Sequence, residues 1–288
     1  MPVGVVDVGS NTVRLQVTQA GRTVLTKREM LRLGADVETT GRVSDAKLQL
    51  TAEVVAGYAR DAGAAQLEIL ITSPGRQATN GERLLEALRR AGDCRARILT
   101  AEEEGRLGFV GALAVAAPPG GRTVAVVDVG GGSAQVVVGT RRDGPRWSRS
   151  IDLGSQRLTS RMAFGDPPSL AALTAARAEV DAALGVFDAP TVRAAYAVGG
   201  SARALKRLAG AKLDASELAG LATLLSDTPG AVLCERYDVD PARARTLAGG
   251  AVIVAAIQHR LGVPLRVTRG GVREGALLEL AAAERAAA

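Results

Sequence analysis

A chain of 288 residues with 47% hydrophobic content is long enough to bury two cores of ordinary size. No apolar run reaches the roughly 18 residues of a membrane span, and residues 1–30 lack the basic, apolar, small-residue order of a signal peptide, so a soluble cytoplasmic protein is expected. Aromatic residues make up only 2%, too few for a stacking platform on single-stranded nucleic acid; neither nucleic acid nor a membrane is an expected partner. The formal charge of +6 comes mostly from arginine, since Lys27, Lys47, Lys206 and Lys212 are the only lysines among 36 basic residues. Arginine suits bidentate phosphate binding, but a GC-rich coding bias explains the same composition, so each arginine has to be argued from its own position. Cys94 and Cys234 lack metal-ligand spacing and read as reduced structural residues. The only histidine, His259, sits in an apolar run and reads as packing or capping a helix.

The β-branched runs Val3–Val8 and Thr12–Thr18 predict a hairpin, Thr23–Leu33 a third strand, and Gly34–Gly41 a turn-rich connection. Ser44 is placed to cap a helix with apolar positions Leu48, Ala52, Val55 and Ala59, ending near Gly63. Leu67–Thr72 reads as a buried strand, followed by a polar loop, Ser73–Asn80, that delivers Arg76 just past the strand end, where open α/β sheets bind ligands. Asn80 is placed to cap a helix over Gly81–Arg90, Ala96–Leu99 is a further strand, and Thr100-Ala-Glu-Glu103 has capping-box spacing for a helix reaching about Ala116. The breaker-rich Ala117-Pro-Pro-Gly-Gly121 is the predicted linker, giving domains 1–118 and 119–288.

The second half repeats the order. Val124–Val138 carries Asp128, then Gly130, Gly131, Gly132 and Ser133, between two β-branched runs. A carboxylate ending an apolar strand has to face a cleft or a metal, and the glycines let backbone N–H groups close around phosphate oxygens. Residues 3–17 overlay this stretch without gaps, pairing Asp7 with Asp128, Gly9 with Gly130, Thr12 with Ser133 and Arg14 with Gln135. Two copies suggest a duplicated domain with two phosphate loops facing across a cleft. A third strand near Trp147–Leu153, helices over Ser155–Met162 and Leu170–Leu184, and a strand over Ala194–Val198 follow. Val198-Gly-Gly-Ser201 opens a helix and is a second candidate anion site, centred on Gly200. A long helix is predicted over Pro241–Leu261, a strand over Leu265–Thr268, and a last helix from Arg273 that is free to cross back onto the first domain.

Six stretches together resemble the exopolyphosphatase / guanosine pentaphosphate phosphatase (Ppx/GppA) family: Asp7–Arg14, Arg76–Asn80, Leu99–Arg106, Asp128–Ser133, Gly199–Ser201 and Gly271–Gly275. The chain is similar to the short members, which end with the catalytic module. The resemblance implies an α/β architecture, a duplicated actin-like ATPase (ribonuclease H-like) fold with two domains and a central cleft. It implies hydrolysis of a terminal phosphoanhydride of polyphosphate or guanosine pentaphosphate, with Mg2+ as cofactor, polyphosphate or guanosine penta/tetraphosphate as ligand, and a homodimer. Carried over position by position, Glu104 is the acid that orients or deprotonates water, and Asp128 holds the metal with Asp7 opposite. Gly9, Ser10, Asn11 and Thr12 on one side and Gly130, Gly131, Gly132 and Ser133 on the other take phosphate, with Arg14, Arg76 and Arg243 as cationic partners.

Two readings of Glu104 stay open at this stage, because Glu102, Glu103 and Glu104 at a helix start also complement its dipole. The chain departs from the family pattern at Gln135, where a glutamate is usual; an amide cannot accept a proton or charge a metal site. A smaller departure is Thr268-Arg-Gly-Gly271. A non-catalytic alarmone or polyphosphate sensor and an actin-like kinase are the alternatives to a phosphohydrolase.

Overall fold

The computed structural model describes residues 1–63 and 66–287, which form two compact units, Met1–Gly111 with Val272–Ala288, and Ala112–Gly271. In the first unit β1 (Val3–Val8), β2 (Thr12–Gln19) and β3 (Arg22–Met30) form an antiparallel meander. There follow α1 (Leu33–Thr40), α2 (Asp45–Ala62), β4 (Gln66–Ile71), α3 (Ser73–Gln77), α4 (Gly81–Gly92), β5 (Arg95–Ile98) and α5 (Ala101–Ala116). The sheet order is β3-β2-β1-β4-β5, with β4 parallel to both β1 and β5. β1 is central, which explains its run of valines: Val3, Val5, Val6 and Val8 are all buried because both faces of the sheet are covered. One face packs Val6, Val8, Val13 and Ile69 against Val55, Leu84 and Leu88 of α2 and α4.

The second unit repeats the meander as β6 (Val124–Val129), β7 (Ala134–Thr140) and β8 (Gly144–Ile151). It continues with α6 (Ser155–Met162), α7 (Leu170–Leu184), β9 (Ala194–Val198), α8 (Gly199–Ala209), β10 (Lys212–Leu213), α9 (Ala215–Asp227), α10 (Gly230–Tyr237), α11 (Pro241–Ala244), α12 (Leu247–Leu261) and β11 (Leu265–Val267). Its sheet order, β10-β11-β9-β6-β7-β8, is that of the first sheet with one short antiparallel strand added at the edge. The duplication read from two short motifs therefore extends to whole sheets. α12 is buried on almost every side from Leu247 to Gln258 and forms the centre of this unit's core. No helix among the described residues is long and apolar enough to cross a membrane.

The last helix, α13 (Val272–Ala287), belongs to the first unit, where Ala276 and Leu277 join Val3, Val5, Leu70, Leu99 and Leu107 on the other face of the sheet. The compact units divide at Gly111, within α5.

Several local expectations change. Residues 33–40 form a helix instead of a turn, since Leu33 and Val37 lie one turn apart and both are buried, and Gly41 at φ 72° closes the end. The loop after β4 contains α3, started by Pro74. Asn80 does not cap α4 with its side chain; its amide instead binds both the N–H and the C=O of Val43. The single helix expected over 241–261 is two, because Thr246 leaves helical geometry and donates its N–H to Arg243 O in a tight turn. α9 starts at an N-cap, Asp214, whose side chain accepts from Glu217 N.

α13 approaches α5 so closely that a Cβ on Gly275 would stand 2.1 Å from the carbonyl oxygen of Leu107. Gly275→Ala should therefore lower stability by about 1–3 kcal/mol through overpacking, outweighing the roughly 1 kcal/mol that alanine gains in helix propensity. A urea midpoint that rises in the variant would contradict this packing.

Candidate active site

In the first unit, the turn between β1 and β2 is fixed by backbone bonds. Gly9 N donates to Thr12 O at 3.0 Å, Ser10 O accepts from Gly34 N at 2.8 Å, and Asn11 O accepts from Leu31 N and Arg32 N. The buried Ser10 hydroxyl donates to Ser73 Oγ at 3.2 Å, and Ser73 in turn donates to Gln77, which joins the turn to α3. Asp7 and Arg14 are direct partners across β1 and β2, so their side chains share one face.

Asp7 is also met by a residue the sequence reading assigned no role. Arg273, in the first turn of α13, places Nη1 3.1 Å from Asp7 Oδ2 and donates Nε to Gln16 Oε1. Two signals point to it: its place in the Gly271–Gly275 stretch, and an arginine in a first turn, which opposes the helix dipole and needs a compensating partner.

Arg76 and Glu104 come together. Arg76 lies on α3, donates Nη1 to Leu99 O at 2.9 Å, and holds that nitrogen 2.7 Å from Glu104 Oε2, with the two side chains only 16% and 12% exposed. The approach to the carboxylate is a close charge contact rather than a directed hydrogen bond. Arg76 Nη2 is buried and has no hydrogen-bond partner among the described residues. The three consecutive glutamates are thereby sorted. Glu102 is exposed, and Glu103 makes the capping box, accepting from Thr100 N at 2.8 Å while its own N–H binds Thr100 Oγ1. That bond from the Thr100 backbone, opposed by partial burial and helped by Arg97, holds the Glu103 carboxyl below the usual range. Only Glu104 turns inward, so the dipole-complementing role falls to its neighbours.

In the second unit the turn repeats, with Gly130 N donating to Ser133 O at 3.0 Å. The carbonyls of Gly130 and Gly131 accept from the first N–H groups of α6, at Ser155, Gln156 and Arg157, which anchors Gly131 and its neighbour Gly132. Asp128 and Gln135 are in register on β6 and β7 and share a face. Gln135 is buried and donates Nε2 to Ser133 Oγ at 3.0 Å and to Ser150 Oγ at 3.3 Å. Asp128 reaches the start of α8. A Cβ on Gly199, whose φ is 85°, would stand 2.3 Å from Asp128 Oδ1, and one on Gly200 would stand 2.4 Å from Arg243 Nη2. Asp128, Gly200 and Arg243 are thus gathered at one helix N-terminus, which explains two adjacent glycines there. His259 is exposed in the last turn of α12, outside both clusters.

Among the described residues, no group of three or more His, Cys, Asp or Glu side chains is placed to hold a metal ion. Magnesium asks for less, since it keeps several waters and binds through one or two carboxylates plus substrate phosphates. Asp128 and Asp7, each near the end of a central strand, are the carboxylates that could serve, and Asp7 is also paired with Arg273.

The model of the Ppx/GppA phosphatase family matches residues 13–284. The chain belongs to the Ppx/GppA phosphatase family. It is accordingly an enzyme of the phosphoanhydride-hydrolase class. Relatives of this Ppx/GppA chain include exopolyphosphatase 1 of Mycobacterium tuberculosis, 30% identical over 303 residues that cover 96% of this chain and 88% of the relative. Exopolyphosphatase 2 of the same organism is 28% identical, covering 97% and 98%. Among solved structures, the Aquifex aeolicus Ppx/GppA family member superposes with a TM-score of 0.83 at 25% identity, covering 99% of this chain and 98% of that one. An exopolyphosphatase from Cytophaga hutchinsonii shares the fold, with a TM-score of 0.88 at 17% identity over 97% of each chain.

The Asp7–Arg273 pair is mostly buried, so removing one partner leaves a charge stranded. Arg273→Ala should cost about 2–4 kcal/mol in urea unfolding, and adding Asp7→Asn should recover part of it. Losses that simply add would show that the two groups do not interact.

Proposed function

We propose that this chain is a magnesium-dependent exopolyphosphatase, releasing terminal phosphate from inorganic polyphosphate, with guanosine pentaphosphate as a second substrate of the same terminal-phosphate type. The observation that carries the reading is the Arg76–Glu104 pair: a mostly buried carboxylate held 2.7 Å from a guanidinium that keeps one buried nitrogen unspent. An ion pair built for stability alone would use that nitrogen, because a buried donor left without a partner costs about 1–3 kcal/mol. A phosphoryl oxygen supplies the missing acceptor, and Arg76 is then a phosphate ligand that also positions the acid. The names of the mycobacterial relatives support polyphosphate as the substrate.

In the proposed reaction Glu104 orients a water molecule and takes its proton as the water oxygen bonds to the terminal phosphorus. The bridging P–O bond breaks, and its electron pair stays on the shortened chain as a new terminal oxyanion. Arg76 and Arg14 are the phosphate-binding arginines of the first unit, and the second unit carries its own phosphate-binding set in Arg243 and the Gly130–Ser133 turn. Asp128 is the residue that would hold magnesium, which supplies charge neutralisation on the phosphates when bound. Positioning and charge stabilisation account for most of the rate in phosphoryl transfer, so these contacts matter more than the strength of the base.

The reading is checked by phosphate release from long-chain polyphosphate, guanosine pentaphosphate and ATP, with magnesium and with EDTA. Polyphosphate should be turned over, ATP far more slowly, and chelation should abolish release. No release from any of the three contradicts the proposal, and ATP consumption that depends on an added sugar or carboxylic acid would make the protein a kinase.

A further inference from the structure

Gln135 is 3% exposed, and its amide nitrogen is shared between two hydroxyl oxygens, Ser133 Oγ at 3.0 Å and Ser150 Oγ at 3.3 Å. An amide nitrogen only donates, so both serine oxygens are acceptors in these bonds. Each hydroxyl has a single proton, which cannot lie along the line to the nitrogen and has to point elsewhere. Among the described residues neither serine donates a hydrogen bond to the protein. Ser133 is itself fixed, because its carbonyl receives Gly130 N–H and closes the glycine turn. The outcome is a buried hydroxyl at the mouth of a phosphate turn whose oxygen already accepts from Gln135 and whose proton is therefore directed away from it.

We infer that Gln135 is a positioning residue that turns the Ser133 hydroxyl proton away from itself and so tunes the turn to an acceptor-only anion, the ionised non-bridging oxygens of a phosphoanhydride chain. The inference rests on the phosphohydrolase reading for its ligand. A carboxylate of the same size at 135 would reverse the polarity: it accepts only, draws the Ser133 proton inward, and adds a negative charge beside the turn. An amide turned the other way round would likewise consume the serine protons, and a glutamate variant reproduces that arrangement. The replacement of an acid by an amide therefore gives the turn a donor that an acid would have taken away.

The test is calorimetric binding of medium-chain inorganic polyphosphate, with steady-state phosphate release in parallel, for Gln135→Glu, Gln135→Met, Ser133→Ala and the Ser133→Ala/Gln135→Glu double variant. Gln135→Glu should weaken binding and raise KM about 10- to 100-fold, the range for one hydrogen bond to a charged group, while kcat is retained. Ser133→Ala should lose a similar factor, and the double variant should be no weaker than the weaker single. Gln135→Met, which keeps the size but removes the donor, should lose less because the hydroxyl is then free to rotate. Unchanged or tighter binding by Gln135→Glu overturns the inference. So do losses that multiply in the double variant, because charge repulsion alone then explains the glutamate. A wild-type protein that binds polyphosphate without releasing phosphate sinks the hydrolase reading, and the binding comparison still decides the role of Gln135.

Discussion

The structure depends on a constraint repeated in each unit: a central strand, buried on both faces, ends in a carboxylate that cannot enter the core. Valines line β1 and β6 up to Asp7 and Asp128, and a charge at that point has to be answered by a cation, a helix terminus or a ligand. The two units answer it differently. Asp7 is held by Arg273 from the C-terminal helix, whereas Asp128 lies against the start of α8, where Gly199 has no side chain to keep it away.

The two hairpins also differ directly across from these carboxylates. Arg14 stands across from Asp7 and Gln135 across from Asp128, so the duplicated backbones present a cation at one position and a neutral amide at its match. Around these turns the backbone is spent on itself, through Gly9 and Gly130 N–H bonds and carbonyls tied to the segments that follow each meander. Rigid turns of this kind lose little freedom when an anion arrives, which is how preorganisation contributes to phosphate binding.

Much of the architecture was legible because valine runs, glycine turns and helix caps are local signals. The Ser44 cap, the Thr100–Glu103 box and the paired hairpins all follow from neighbours in sequence. What could not be read depended on distant partners. Asn80 was drawn from its helix by the backbone of Val43, and Arg273 acquired its partner only when α13 packed against the first sheet. Three adjacent glutamates were indistinguishable until Arg76 arrived beside one of them from a different helix. The loss of an acid at Gln135 was plain in the sequence, but its two serine acceptors were not, since Ser150 sits on the neighbouring strand.

Everything proposed about the chemistry turns on Glu104 being an acid that acts on water rather than a helix-start charge. The most direct measurement is kcat for polyphosphate hydrolysis by Glu104→Ala beside the wild type, with urea unfolding as the check on the fold. Loss of a positioned general base should lower kcat about 10²- to 10⁴-fold at unchanged cooperativity of unfolding. A variant that folds and turns over polyphosphate at the wild-type rate would contradict the assignment of Glu104.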